Sequence, residues 1–224
     1  YRQQLMEERT RLGNRAHVEL SGLRPGYQAK VPALVLPVHR DTARRLLRGD
    51  HSVRADLTRR RLSRIKQLEA EIAEVTGLVQ ARVDASGTRL TDLYGVGPIV
   101  AGRILAEVVD VRRYRSRHAF ASANGTAPIP ASSGKTVRVR LNRGGNRQLN
   151  RMLYVIALSQ IRAETRGRAY YLRKRAEGKT STEALRCLKR RRSDVVYRIL
   201  LAEAATIAPG DSPPVSAAAL RVGA

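Results

Sequence analysis

The residues best suited to chemistry lie in one stretch near the middle of the chain. Pro128-Ile129-Pro130-Ala131-Ser132-Ser133-Gly134-Lys135 sets two serines in a turn-forming context, and Arg138, Arg140 and Arg143-Gly144-Gly145-Asn146-Arg147 follow closely. A serine held beside a phosphate by guanidinium groups and loop amides can attack phosphorus, provided a base or metal lowers the cost of deprotonating it. Taken alone, a Ser-Ser-Gly triplet is a turn in most proteins. The residue types by themselves leave both readings open.

An absence narrows the mechanism. Between Asp110 and Glu164 there are 53 residues without a carboxylate, yet with eleven arginines and lysines. Metal-assisted phosphoryl transfer uses hard oxygen ligands on magnesium, and this stretch has no acidic side chain to offer. His17, His39, His51 and His118 show no spacing that suggests zinc, and Cys187 is alone, so neither a cysteine zinc site nor a disulfide framework can be built within the chain. No metal ligand is assigned to this sequence.

A second candidate lies upstream. Leu93-Tyr94-Gly95-Val96-Gly97-Pro98-Ile99-Val100-Ala101-Gly102-Arg103-Ile104-Leu105 fits the helix-hairpin-helix pattern, with Thr88 to Leu93 supplying the first helix. Gly95 and Gly97 are expected to permit positive φ, and Pro98 suits a first helical turn. Backbone amides at that helix start can grip a phosphate without reading bases, and Arg103 sits one turn further on. The competing reading is a tight turn between packed helices with no ligand.

These candidates sit in a strongly cationic chain of 224 residues, with 43 Lys+Arg against 19 Asp+Glu and a net charge of +24. Only six of the basic residues are lysine. Arginine forks match phosphate oxygens bidentately and stay charged, so the balance points to a polyanionic partner. High-GC codon usage would explain arginine over lysine, but not the surplus. No run approaches a membrane span and no signal segment opens the chain. The expectation is a soluble bacterial protein of the cytoplasm, associated with the nucleoid.

The elements that must position the candidates are mainly helical. Residues 1–85 read as a coiled-coil helical arm. One amphipathic helix runs from Gln3 to Leu20, a short one from Thr42 to Arg48, and a long one from about Ala55 to Val83 with Ile65, Leu68, Ile72, Val75 and Val79 in heptad spacing. The long helices should pair antiparallel with each other or with another protomer. Residues 86–208 read as a helical domain with helices at Pro98–Val109, Asn146–Arg162, Arg168–Ala176 and Thr182–Thr206, the last opened by the capping box Thr180-Ser181-Thr182-Glu183. A short β-hairpin or loop insertion spans Asn124 to Gly145, where Val137, Val139 and Leu141 alternate with Arg138 and Arg140. Residues 209–224 read as a flexible tail.

From Leu90 to Leu201 the chain resembles the C-terminal transposase domain of the insertion-sequence one-ten, one-sixteen and nine-oh-two family of RuvC-like, serine-dependent, bridge-RNA-guided transposases. The resemblance rests on Leu93-Tyr94-Gly95-Val96-Gly97-Pro98, Phe120-Ala121-Ser122-Ala123-Asn124-Gly125-Thr126-Ala127-Pro128, Ser132-Ser133-Gly134-Lys135 and Arg143-Gly144-Gly145-Asn146-Arg147-Gln148-Leu149. Arg168-Ala169-Tyr170-Tyr171 and Lys189-Arg190-Arg191 also fit. It implies a split active site. A RuvC-like domain carries an acidic quartet that binds Mg2+, and the serine domain supplies the nucleophile for strand cleavage and exchange, here Ser133 with Ser132 as the alternative. It further implies DNA as substrate, a structured guide RNA and a homo-oligomer joined through the helical arm.

The acidic quartet is expected before residue 1, because Glu7, Glu8 and Glu19 lie on an amphipathic helix rather than in buried strands. Residues expected to hold nucleic acid are Gly95, Gly97, Arg103, Lys135, Arg138, Arg140, Arg143, Arg147, Arg190 and Arg191. Tyr170-Tyr171 beside Arg173-Lys174-Arg175 can stack on bases or serve as core with a solvated face. The competing function is a non-catalytic, truncated element product that binds nucleic acid and oligomerises.

Overall fold

A computed structural model describes residues 1–130, 139–140, 142 and 144–206. Eight α-helices appear among these residues, and strand is confined to one two-residue ladder. The chain divides into two compact units, Tyr1–Leu78 and Val79–Ala224. The tail expected at 209–224 lies outside the described residues.

In the first unit, α1 (Arg2–Leu23) ends at Arg24 before Pro25 and Gly26, the latter at φ +79°. Helix α2 (Pro37–Leu46) starts on a proline, which needs no N–H partner in the first turn. Helix α3 (Val53–Ala85) contributes its residues through Leu78 to this unit. Of the heptad seam positions, Ile65, Leu68 and Ile72 are buried and Val75 is partly buried beside them, whereas Val79 packs against the core of the second unit.

The partner of that seam is α1 of the same chain, in antiparallel sense. Leu5 packs with Leu68 and Ile72. Ala16 and Leu20 share a cluster with Ala55 and Leu62. Arg2 Nε donates to Thr76 Oγ1 at 2.8 Å, Arg9 pairs with Glu69 at 2.6 Å, Arg64 with Glu8 at 3.1 Å and Arg54 with Glu19 at 2.6 Å. The hydrogen bond from Arg54 holds the Glu19 carboxyl below its usual range. Such partly exposed pairs each contribute little, so apolar burial sets the stability and the charges set the register.

The second unit begins with the last turns of α3 and continues through a 3-10 turn at Arg89–Asp92 to α4 (Pro98–Val108). A second 3-10 turn at Val111–Arg113 leads to α5 (Arg117–Ala123). Strands β1 (Ile129–Pro130) and β2 (Val139–Arg140) pair antiparallel with Ile129 opposite Arg140 and Pro130 opposite Val139. Helices α6 (Arg147–Ile161), α7 (Arg166–Ala176) and α8 (Ser181–Thr206) complete the unit.

Helix α8 opens with the expected box. Thr180 N donates to Glu183 Oε2 at 2.8 Å while Glu183 N donates to Thr180 Oγ1 at 3.3 Å. Its buried side, Val196, Tyr197 and Leu200, shares one core with Ile104 of α4, Phe120 of α5 and Leu149, Leu153 and Ile156 of α6. Phe120, the single phenylalanine, meets Tyr114 edge-on at 5.1 Å and Tyr197 at 5.6 Å.

Two features differ from expectation. The segment Thr88 to Leu93 forms one 3-10 turn rather than an α-helix, capped by Thr88 and tied to α8 where Arg89 N donates to Glu203 Oε1 at 2.6 Å. Helix α5 is additional: its seven residues are too few to show a helical period, and Ser116 caps it by accepting from Ala119 N. Of the strand expected around Val137 to Leu141, only Val139 and Arg140 fall among the described residues.

Helix α4 ends in strain. Val109 adopts φ +58°, ψ −69°, and Asp110 N donates to Val108 O at 2.7 Å across it, which is the γ-turn that non-glycine residues rarely adopt. The Val109 side chain is exposed and repays little of this by packing. Val109→Gly should therefore raise stability by about 1 kcal/mol, the relieved strain exceeding the added unfolded-chain entropy. Denaturant titration of both proteins checks this, and a lower midpoint for the glycine variant would contradict it.

Candidate functional site

The serine loop hangs from two chain segments that cross at close range. At the first, Gly125 takes φ +73°. At the second, an ideal Cβ on Gly145 would lie 2.3 Å from Gly125 N and 2.6 Å from Gly125 Cα. No side chain fits between these backbones, so glycine at 145 is a requirement of the crossing. Asn146 N donates to Ala123 O at 2.6 Å and closes it.

Four polar side chains lock the crossing to the helices around it. Asn124 is fully buried; its amide donates to Ser193 Oγ on α8 at 2.8 Å, and its Oδ1 accepts from Thr126 N and Oγ1. Asn142 donates to Ser122 O at 2.9 Å and accepts from Gly144 N. Asn146 caps α6 by accepting from Gln148 N and Leu149 N, and donates to Glu107 Oε2 on α4 at 2.7 Å. Asn150 donates to Asn124 O at 2.8 Å and accepts from Lys189 Nζ of α8. One buried and three half-buried amides, each with at least two partners, fix the arrangement of these two segments.

Asn124 and Asn146 lie in the motifs quoted above. The pinning roles of Asn142, Asn150, Ser193 and Glu107 were not read from sequence. The available signal was Asn146 followed four residues on by Asn150, an N-cap residue and a first-turn residue of one helix.

The expected site residues fall into three groups. Ser132, Ser133, Lys135, Arg138 and Arg143 lie outside the described residues. Arg140, opposite Ile129 on the ladder, and Arg147, at the start of α6, are exposed beside the feet. Gly95, Gly97, Arg103, Arg190 and Arg191 lie on other elements of the unit.

At the glycine turn, Gly95 has φ +88°, and a Cβ there would sit 2.8 Å from Ser159 Cβ and 3.3 Å from Ile156 O of α6. Gln160, buried, donates to Tyr94 O at 3.0 Å and fixes the same turn. Gly97 departs from expectation: its φ is −86°, an extended N-cap conformation open to most residues. It offers no side-chain cap, so the first-turn amides of α4 lack an intrahelical acceptor. Arg103 pairs with Glu107 at 3.0 Å.

On α8, Arg190 pairs with Asp194 and donates to His118 Nδ1 at 3.2 Å, so part of its charge is used within the fold. Arg191 is exposed and lies 5.8 Å from the Tyr170 ring centre, a ring also approached by Arg173 at 5.2 Å and Lys174 at 5.7 Å. Burial holds the Lys189 ammonium below its usual pKa, with Arg186 adding repulsion. Arg192 is lowered in the same way, by burial and then Arg198. Among the described residues no group of three His, Cys, Asp or Glu side chains is placed to hold a metal ion.

Fold and site together define a helical, arginine-rich module in which asparagine hydrogen bonds tie the segments before Ala131 and after Arg143 to the helices. Residues 87–172 match the family described as Transposase IS116/IS110/IS902 family. Over this stretch the chain is similar to that family. It is 36% identical over 136 residues to the insertion element IS110 uncharacterized 43.6 kDa protein of Streptomyces coelicolor, covering 60% of this chain and 33% of that protein. It is 34% identical over 138 residues to the IS116 44.8 kDa protein of Streptomyces clavuligerus, covering 61% and 33%. Against the IS900 42 kDa protein of Mycobacterium paratuberculosis it is 31% identical over 150 residues, covering 65% and 38%. The chain thus spans about a third of the length of these curated relatives.

The crossing predicts a sharp response to one added methyl. Gly145→Ala should destabilise the second unit by about 3 kcal/mol, because backbone rather than a flexible side chain must yield. Hydrogen exchange at the Asn146 amide should accelerate with it. An unchanged melting temperature and unchanged protection would show that the feet are not in close contact.

Proposed function

We propose that this chain is the serine-bearing portion of a transposase, which binds DNA and a structured guide RNA and supplies the nucleophile for strand cleavage and exchange. The observation that carries the reading is the match of residues 87–172 to a transposase family. The asparagine-pinned feet support it, since a nucleophile must be held in place by its scaffold rather than by substrate alone.

In this reading Ser133 Oγ attacks a phosphodiester phosphorus. The Oγ–P bond forms as the bond from phosphorus to the leaving sugar oxygen breaks; the serine proton passes to a base and the leaving oxygen takes up a proton. Attack of that sugar oxygen, or of another strand's hydroxyl, on the phosphoserine reverses the exchange of bonds and frees the serine. Ser132 is the alternative nucleophile.

Arg140 and Arg147, exposed beside the feet, hold the phosphate oxygens, with Lys135, Arg138 and Arg143 from the loop. Gly95 shapes the turn before α4, where the open amides of the first turn, following Gly97, meet the backbone of the duplex. Arg103, Arg190 and Arg191 add cationic contact around them. The described residues do not fit a magnesium site, and no step of this chemistry is routed through a metal here. The family's RuvC-like domain is where the proposal places the Mg2+. Assembly as a homo-oligomer through α1 and α3 belongs to the same reading.

The test uses the full-length protein and a DNA substrate carrying the element's ends. Wild type should form a protein–DNA adduct that survives denaturation, with the modified peptide containing Ser133. Ser133→Ala should abolish the adduct and recombination while affinity for the substrate changes by less than about twofold, since removing one hydroxyl leaves the cations in place. An adduct on another side chain, or full recombination by the alanine variant, would remove Ser133 from the mechanism.

A further inference from the structure

Lys189 is out of place as a structural lysine. It lies at a position of α8 flanked by the buried residues Leu188, Ser193 and Val196, and it is only partly exposed. Among the described residues no carboxylate pairs with it. Its ammonium donates to the neutral Asn150 Oδ1 and stands 5.8 Å from the centre of the Tyr154 ring. A cation in that setting loses hydration without gaining a countercharge, and its repulsion by Arg186 adds to the cost. An apolar residue of similar length would remove this cost and give up only the single hydrogen bond to Asn150 Oδ1.

What surrounds it suggests what it is for. Asn150 is the residue that bonds Asn124 O, so Lys189 is one side chain away from the foot of the serine loop. On α6, Arg147, Asn150, Arg151 and Tyr154 recur at spacings of three and four, which places them along one side of the helix. Arg147 and Arg151 are exposed, and Tyr154 is 41% exposed despite its large ring. From Arg147 to Tyr154 this side runs about 10 Å, two or three nucleotides at roughly 3.4 Å each. Guanidinium groups, an ammonium and an uncovered aromatic ring in a row are what a single nucleic-acid strand requires: charge for the backbone and a surface for one base.

We propose that Lys189, with Arg147, Arg151 and Tyr154, forms a seat for a single nucleic-acid strand at the foot of the serine loop, Lys189 taking one backbone phosphate and Tyr154 stacking on one base. The proposal rests on the transposase reading. It adds to that reading a named binding surface and a direction, from the loop along α6, in which the strand runs. A phosphate here gives Lys189 the countercharge that the fold withholds. Because the same ammonium touches Asn150, occupancy of the seat is felt at the loop's base.

The experiment measures binding of the full chain to a fluorescein-labelled single-stranded DNA of unrelated sequence and to the matching duplex, from low to moderate salt. Melting temperatures are recorded in parallel. Lys189→Met should weaken single-strand binding on the order of fivefold and flatten the log–log salt slope by about 0.7, one phosphate's share, while the melting temperature holds or rises. Tyr154→Ala should weaken single-strand binding and leave duplex binding within twofold. Arg89→Gln is the equal-charge control. Arg89 adjoins Glu203, fourteen residues along α8 from Lys189 and so about 21 Å away, and its loss should leave the slope unchanged.

A Lys189→Met protein that binds with the wild-type slope overturns the seat. So does one that melts lower without a change in slope, which would mark a structural lysine. Equal losses from Lys189→Met and Arg89→Gln would show only diffuse charge, and would also overturn it. If wild type itself shows no salt-dependent binding to either probe, the transposase reading fails first, and that result is distinct from all of these.

Discussion

The way α5 and α6 are joined in this molecule depends on two backbones passing without a side chain between them. Gly125 and Gly145 make that approach possible, and the hydrogen bond from Asn146 N to Ala123 O closes it. Hydrophobic burial can bring helices together, but it is non-directional and tolerates small slides. A close backbone crossing surrounded by satisfied amides does not. The asparagines tie the helical core, built for stability, to a fixed arrangement of the segments before Ala131 and after Arg143.

The two units use their charges differently. In the first, arginines meet carboxylates across α1 and α3: Glu8 with Arg64, Glu19 with Arg54 and Arg61, Glu69 with Arg9. In the second, the stretch from Val111 to Ala163 has no carboxylate of its own, and Glu107 is one of few acids near the loop, occupied by Arg103 and Asn146. Repulsion left uncompensated within a fold is a stability cost. A polyanion would relieve it as its condensed counterions are released, which ties the cationic surplus to the proposed nucleic-acid partner.

Much of this was legible in the sequence. The seam Ile65, Leu68 and Ile72 announced α3, Thr180 with Glu183 announced the start of α8, and Pro98 announced α4. Periodicity and caps are local signals, and local signals survive folding. The partner of the seam was not local: a heptad pattern says that a side is apolar without saying what covers it, and here α1 does. The turn before α4 was half legible. Gly95 needs its positive φ and its closeness to α6, whereas Gly97 has ordinary backbone angles and only its place at the N-cap. The pinning asparagines were the least legible, because in sequence they resemble the turn residues of any loop. Their roles come from Ser193, Glu107 and Lys189, residues 39 to 69 positions away. Arg190 read as a free cation although Asp194, four residues on, was in view as its partner.

The pairing of Pro130 with Val139 carries one more implication. The bonds that fix the two feet come from α4, α5, α6 and α8, all outside the span that the pair brackets. The entropy of closing that span is therefore met by the surrounding helices. The helices on either side should therefore keep their arrangement when single residues between positions 130 and 139 are substituted, so that losses of chemistry there can be separated from losses of fold.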